Sequence, residues 1–323
     1  MKINIYFLLT VWLFFFSHLQ LFSQQSEKIS NTKPELIKLF DGGFFTEGPA
    51  YGSDGNIYFC DLTFTDETNM QAGIIWKYNQ QTKKTSVYRS PSGMANGIAF
   101  DNNGNMIVCE GADFGGRKIT STDLETGKSK ILTGLFNGFL YNSPNDLVID
   151  KQNRIYFTDP RYAGYERIEQ PCFGVYRLDN DGNVTLLIND ISMPNGIAIS
   201  PEENKIYVGC NFEGNSEKGI NPETAIYVFD LDKEGNISNK KIFKKYPSDY
   251  GPDGIIVDSN GNLFVALRDE LNPCICVYDP DGNLVKKILV PEVPSNITFG
   301  KESEKNSLFI TAGGSLYKVK LLK

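Results

Sequence analysis

Residues 143–159 read SPNDLVIDKQNRIYFTD: a polar corner marked by proline, three apolar residues, a polar turn over 150–154 and a second strand, IYFTD. Such a run is a β-hairpin entered through a tight corner. The same pattern recurs as EGPAYGSDGNIYFCD from 47, ANGIAFDNNGNMIVCE from 95, MPNGIAISPEENKIYVGCN from 193, GPDGIIVDSNGNLFVAL from 251 and VPSNITFGKESEKNSLFITAGG from 293. Aligned on the turn, the corner residues are Glu47, Asn96, Asn145, Asn195, Asp253 and Ser295, spaced by 49, 49, 50, 58 and 42 residues. The hairpins run on into a third and a fourth strand, best seen in GIIWKYNQQTKKTSVY, GVYRLDNDGNVTLLI and ICVYDPDGNLVKKIL. Four antiparallel strands in about 50 residues make one propeller blade. Six of them predict an all-β, six-bladed β-propeller over residues 24–323. The last repeat stops at a third strand, SLYKVKL, while ELIKLF at 35–40 has no blade of its own. The N-terminal strand is therefore expected to complete the last blade, which removes two open sheet edges.

In a propeller the innermost strands line the central channel, so the six corners form a ring at one mouth. Asn, Asp and Ser are each ordinary turn residues. Glu47 is not, and with Asp253, Asn145 and Asn195 it makes a set of two carboxylates and two amides aimed at one axis. Paired carboxylates repel unless a cation lies between them. An all-oxygen donor set favours a hard ion, calcium before magnesium. Segments such as DNDGN at 179–183 lack the register of a helix-loop-helix calcium loop and read as hairpin turns. Asn96, Asn145, Glu110 and Arg161 are candidate substrate-binding residues. Asp61, Asp159, Asn211 and Arg268, at the ends of second strands and just beyond, share the polar rim, although a solvated loop charge is an equal reading of each. Tyr162 and Phe212 read equally as platforms on which a ring stacks and as core packing under the loop.

Composition narrows the function. Lys plus Arg number 32 against 39 Asp plus Glu, and no basic run offers the footprint that nucleic acid requires. Residues 1–23, with Lys2, the apolar stretch YFLLTVWLFFF at 6–16 and Leu21-Phe22-Ser23, read as a secretory signal peptide. Its apolar stretch falls short of the ~20 residues of a membrane span, so cleavage leaves an exported protein, periplasmic or secreted, without a membrane anchor. Cleavage also removes His18, the one histidine of the chain, and with it every mechanism that needs imidazole. The six cysteines, at 60, 109, 172, 210, 274 and 276, match neither a disulfide scaffold nor a zinc site and read mostly as small buried apolar residues.

EGPAY with YFCD, SPNDLVIDKQNRIYFTDPRYAG, MPNGIAIS, GPDGIIVD, and SNITFG with SLFITAGGSLYKV resemble the senescence marker protein 30/gluconolactonase/luciferin-regenerating enzyme family along essentially the whole chain beyond residue 23. The resemblance implies one divalent cation, usually calcium, in the channel and hydrolysis of sugar lactones. It places Glu47, Asn195 and Asp253 on the family's metal ligands, Asn145 on its substrate- or metal-contacting asparagine, and Asp253 on its general base. Two positions depart from the pattern: Ser143 stands where the animal branch has Arg, and Gly111 where bacterial gluconolactonases commonly have His. Both bear on substrate binding. The expected reaction is attack of a metal-activated water on a lactone carbonyl, with a ligated Asp as base. Other hydrolase or lyase chemistry on modified sugars, or a non-catalytic sugar-binding propeller, are the alternatives.

Overall fold

Alternation of apolar and polar residues, interrupted every few residues by Asx-Gly turns, leaves the backbone little choice but short antiparallel strands. The computed structural model describes residues 35–212, 214, 223–247 and 250–321; the expected signal segment 1–23, with His18, lies outside them. The first blade is Thr46–Tyr51, Ile57–Asp61, Ile74–Asn79 and Lys84–Arg89, hydrogen-bonded in that order. Four further four-stranded sheets follow, opening on Ala95–Phe100, Leu147–Ile149, Pro194–Ile199 and Pro252–Val257. The sixth blade consists of Pro294–Phe299, Ser307–Ala312, Ser315–Lys320 and Leu36–Phe40, the last pairing antiparallel with Ser315–Lys320 from Leu36 opposite Val319. The N-terminal strand thus closes the ring, as the unpaired ELIKLF predicts. Among the described residues no helix is long and apolar enough to cross a membrane.

Apolar side chains fill the spaces between successive blades. In the third blade Phe157 stacks on Tyr176 at 5.4 Å between centroids, and Tyr141 packs edge-on against Phe157 at 5.2 Å, all three fully buried. Aromatic pairs of this kind add about 0.5–1.5 kcal/mol beyond area burial. The strand-to-strand turns satisfy themselves: Asp101 Oδ1 accepts the backbone N–H groups of Asn103 and Asn105, and Asp258 and Asp279 do the same in their own turns. Their carboxylates are spent on loop geometry.

Two features of the innermost strands set up the channel. The pairing of first with second strand slips at the corner in five blades, between Glu47 and Ala50, Ala95 and Ile98, Pro194 and Ile197, Pro252 and Ile255, and Pro294 and Asn296. Bulges of this kind re-aim a side chain out of the sheet. The residue after the corner is Gly in four blades, and the reason is crowding at the axis. A Cβ on Gly48, which has φ +47°, would lie 1.9 Å from the Asn96 carbonyl oxygen, and one on Gly196 would lie 2.2 Å from that of Asp253. Neighbouring corners touch through backbone, and only glycine leaves room.

Candidate active site

The corner side chains converge. Glu47, Asn96, Asn145, Asn195 and Asp253, each on or beside the start of an innermost strand, line one cavity of about 520 Å³. All five are nearly or fully buried. Ser295, the sixth corner, is not among the lining residues; its hydroxyl donates to the Thr46 carbonyl at 2.6 Å and bonds Thr311, sewing the sixth blade to the first. Phe45, Leu62, Phe64, Met94, Met193 and Phe212 supply apolar wall.

The floor is acidic and short of positive charge. Burial, reinforced by the charge of Asp253, pushes the Glu47 carboxyl well above its ordinary value, against a hydrogen bond from the Gly48 N–H to Oε2 at 2.8 Å and one from the Asn296 side chain. Asp253 is also pushed up by burial, opposed by the Arg268 guanidinium, whose Nη1 donates to Asp253 Oδ2 at 3.1 Å. Asn195 Nδ2 donates to the Tyr162 hydroxyl at 3.1 Å. Asp146 lies directly after Asn145, where four other blades have Gly; burial raises it to about 7, while the Leu147 N–H at 2.9 Å holds its Oδ1. Asp146 went unnoticed in the sequence, yet the Gly-to-Asp departure after a corner was the visible signal.

These residues fit a hard divalent cation. Two buried carboxylates, one of them without a cationic partner, are set among amide side chains. Among the described residues no three Asp, Glu, His or Cys side chains gather in a metal-binding group, so any such ion depends on the amide oxygens of Asn145 and Asn195 alongside Glu47 and Asp253.

The second-strand candidates divide by the parity of the pleat. Asp61, Glu110 and Asp159 close their strands and face into the blades, whereas the cavity is lined by Leu62, Gly111, Asn211 and Arg268, each one position further on. Glu110 is therefore corrected as a substrate-binding candidate: it is paired with Arg89 at 3.2 Å and Lys118 at 3.6 Å and accepts from Thr120 at 2.9 Å, behind the wall. Asp61 accepts the N–H groups of Phe44 and Phe45, and Asp159 those of Asn142 and Ser143; each holds the turn leading into its own blade's corner. Arg161 does line the cavity, but its donors are engaged. Nε and Nη2 donate to the Asn142 carbonyl at 3.0 and 2.6 Å, and Nη1 to Glu166. It is a loop clamp. Both departures from the family pattern, Ser143 and Gly111, line the cavity. Five cysteines are buried and none forms a disulfide.

Relatives carry the same architecture. The chain is 31% identical over 301 residues to a gluconolactonase of Zymomonas mobilis, covering 85% of this chain and 78% of that protein. It is 28% identical over 271 residues to lactonase drp35 of Staphylococcus epidermidis, covering 83% and 76%. The solved structure of a gluconolactonase from Xanthomonas campestris superposes with a TM-score of 0.75 at 27% identity, over 93% of both chains. With residues 45–314 matching the model of the SMP-30/gluconolactonase/LRE-like region, the chain belongs to that family.

Proposed function

We propose that this propeller hydrolyses the ester bond of a sugar lactone, with Asp253 as general base. The observation that carries the reading is the buried Glu47–Asp253 carboxylate set on the floor of a cavity large enough for a monosaccharide ring, in a chain related to gluconolactonases and lactonases. Asp253 takes a proton from a water as its oxygen adds to the ring carbonyl; the ring oxygen then departs with a proton, leaving a free hydroxyl and a carboxylic acid. The contact with Arg268 opposes the burial that raises Asp253 and so favours the ionised form in which it can act as that base. Asn96 and Asn145 orient the ring hydroxyls, Tyr162 and Phe212 flank the ring, and the apolar wall keeps bulk water away. Calcium, held by Glu47, Asn145, Asn195 and Asp253, would supply polarisation of the carbonyl and acidification of water. Asp253→Asn, with its fold verified by circular dichroism, is expected to lose turnover of a lactone panel that includes gluconolactone, and chelation of wild type to do the same. Lactone hydrolysis by that variant at the wild-type rate sinks the assignment.

We also propose that the protein acts outside the cytoplasm after cleavage behind Ser23. Support comes from the sequence of residues 1–23 alone. N-terminal sequencing of protein from the extracytoplasmic fraction tests it, and an intact Met1 there overturns it.

A further inference from the structure

Arg268 is the least satisfied cation of the cavity. Its Nη1 contacts Asp253, its guanidinium lies 5.4 Å from the Phe45 ring centroid, and among the described residues no acceptor bonds its Nε or Nη2. The other arginines nearby are balanced: Arg161 by Glu166 at 3.5 Å, and Arg117 by Glu169 at 3.6 Å and the Tyr141 carbonyl at 2.7 Å. Charge accounting gives the consequence. Glu47 and Asp253 together carry two negative charges, which a divalent ion alone neutralises. Once they are so matched, the positive charge of Arg268 has no counterpart, in a cavity walled by Phe45, Leu62, Phe64 and Met94. The Arg268 side chain keeps 33% of its surface exposed, so this unmatched charge is open to a ligand entering the cavity. A ligand bearing an anionic group supplies the missing counterpart, and a guanidinium with two open donors in one plane suits a carboxylate.

We propose that Arg268 is an anion subsite beside Asp253, and that the preferred substrate is a lactone carrying an acidic substituent, a sugar-acid lactone rather than a neutral one. The inference rests on the lactonase reading and on the cation that reading includes. The Phe45 ring lies 5.4 Å from the guanidinium, and Gly111 and Ser143 bring no charge to the lining, so among the described residues Arg268 is the open cation of the site.

Two measurements on the calcium-loaded full-length mature protein test it. The first needs no turnover: calorimetric binding of glucuronate against glucose, which differ by the carboxylate. Wild type is expected to bind glucuronate at least tenfold tighter, R268Q to lose that difference, and R268K to keep part of it because it retains charge without the fork. The second is the ratio of KM values for glucarolactone and gluconolactone. Wild type favours the acidic lactone, and R268Q raises its KM about 10- to 100-fold relative to the neutral one, the range expected for a charged hydrogen bond, whatever happens to kcat on both. Equal binding of glucuronate and glucose by wild type overturns the proposal. So does an R268Q variant that lowers kcat on both lactones while leaving both KM values in place, since Arg268 then serves Asp253 alone. If glucuronate binds through Arg268 but no lactone is opened, the subsite stands and the hydrolase reading falls.

Discussion

The loops leaving the second strands of the third and fifth blades both bring an arginine to the cavity and put it to opposite uses. In the third blade, Asp159 receives the N–H groups of Asn142 and Ser143 while Arg161 takes the Asn142 carbonyl and Glu166. Charge there is spent on holding a corner still. In the fifth blade, Arg268 reaches one acidic partner, Asp253, and keeps donors open to the cavity. What separates rim from chemistry is the number of partners each charge already has, a quantity set by the local folding of each blade's loops and not by residue type.

The comparison can be broken most severely at Asp253. Asp253→Asn is expected to lower kcat by a factor on the order of 10² to 10⁴, the usual span for a general base, with the melting temperature moved by no more than a few degrees. A stability loss with proportionate activity would instead make Asp253 a structural corner. On the other side, Arg161→Ala should act mainly on stability. It strands the buried Asn142 carbonyl and the facing Asp159, a loss of roughly 1–3 kcal/mol, read as a lower urea midpoint. An Arg161 variant with unchanged midpoint and a raised KM would return that residue to the substrate.

Arg268→Gln sharpens the contrast through the ion. With the competing guanidinium gone, Asp253 is free for a cation, so the calcium dissociation constant measured by calorimetry near neutral pH should fall about tenfold, equivalent to ~1.4 kcal/mol. Unchanged or weaker calcium binding contradicts the shared use of Asp253 by Arg268 and the ion.

The smallest effect concerns acidity. Burial raises Asp146 and Asp159 to about 7, so the folded protein holds protons there that the unfolded chain releases near its ordinary carboxylate value. The proton-bound form is favoured on folding, so in chelator stability declines as pH climbs from about 4 to about 7. Asp146→Asn removes part of that decline and should melt a few degrees higher than wild type above pH ~7, with the two curves meeting at acid pH. Parallel curves would show that Asp146 is not held protonated in the folded state.

The six-fold repeat, the closing N-terminal strand and the converging corner residues were legible in the sequence. Each rests on short-range chemistry: period-two alternation, Asx-Gly turns, and a residue type such as Glu47 that has no reason to sit at a corner. Glu110 misled because a charged residue at a strand end advertises polarity but not direction, whereas Arg161 reaches the cavity with its donors already engaged. A one-residue step along a strand reverses its face, which is why Leu62, Gly111, Asn211 and Arg268 reach the cavity while Asp61, Glu110 and Asp159 turn into the blades. Counting parity from the corner would have sorted them.

By itself the sequence determined the blade and the number of blades, because turns and strand alternation act over a few residues. It also brought five of the six corners to one cavity, since those repeats deliver their corner to the same place. Only the tertiary structure decided which charges remain open. Whether Arg161 is saturated and Arg268 is not depends on how each blade's own loops fold back, bringing the Asn142 carbonyl and Glu166 onto Arg161 but only Asp253 onto Arg268, and that arrangement exists only in the folded blade.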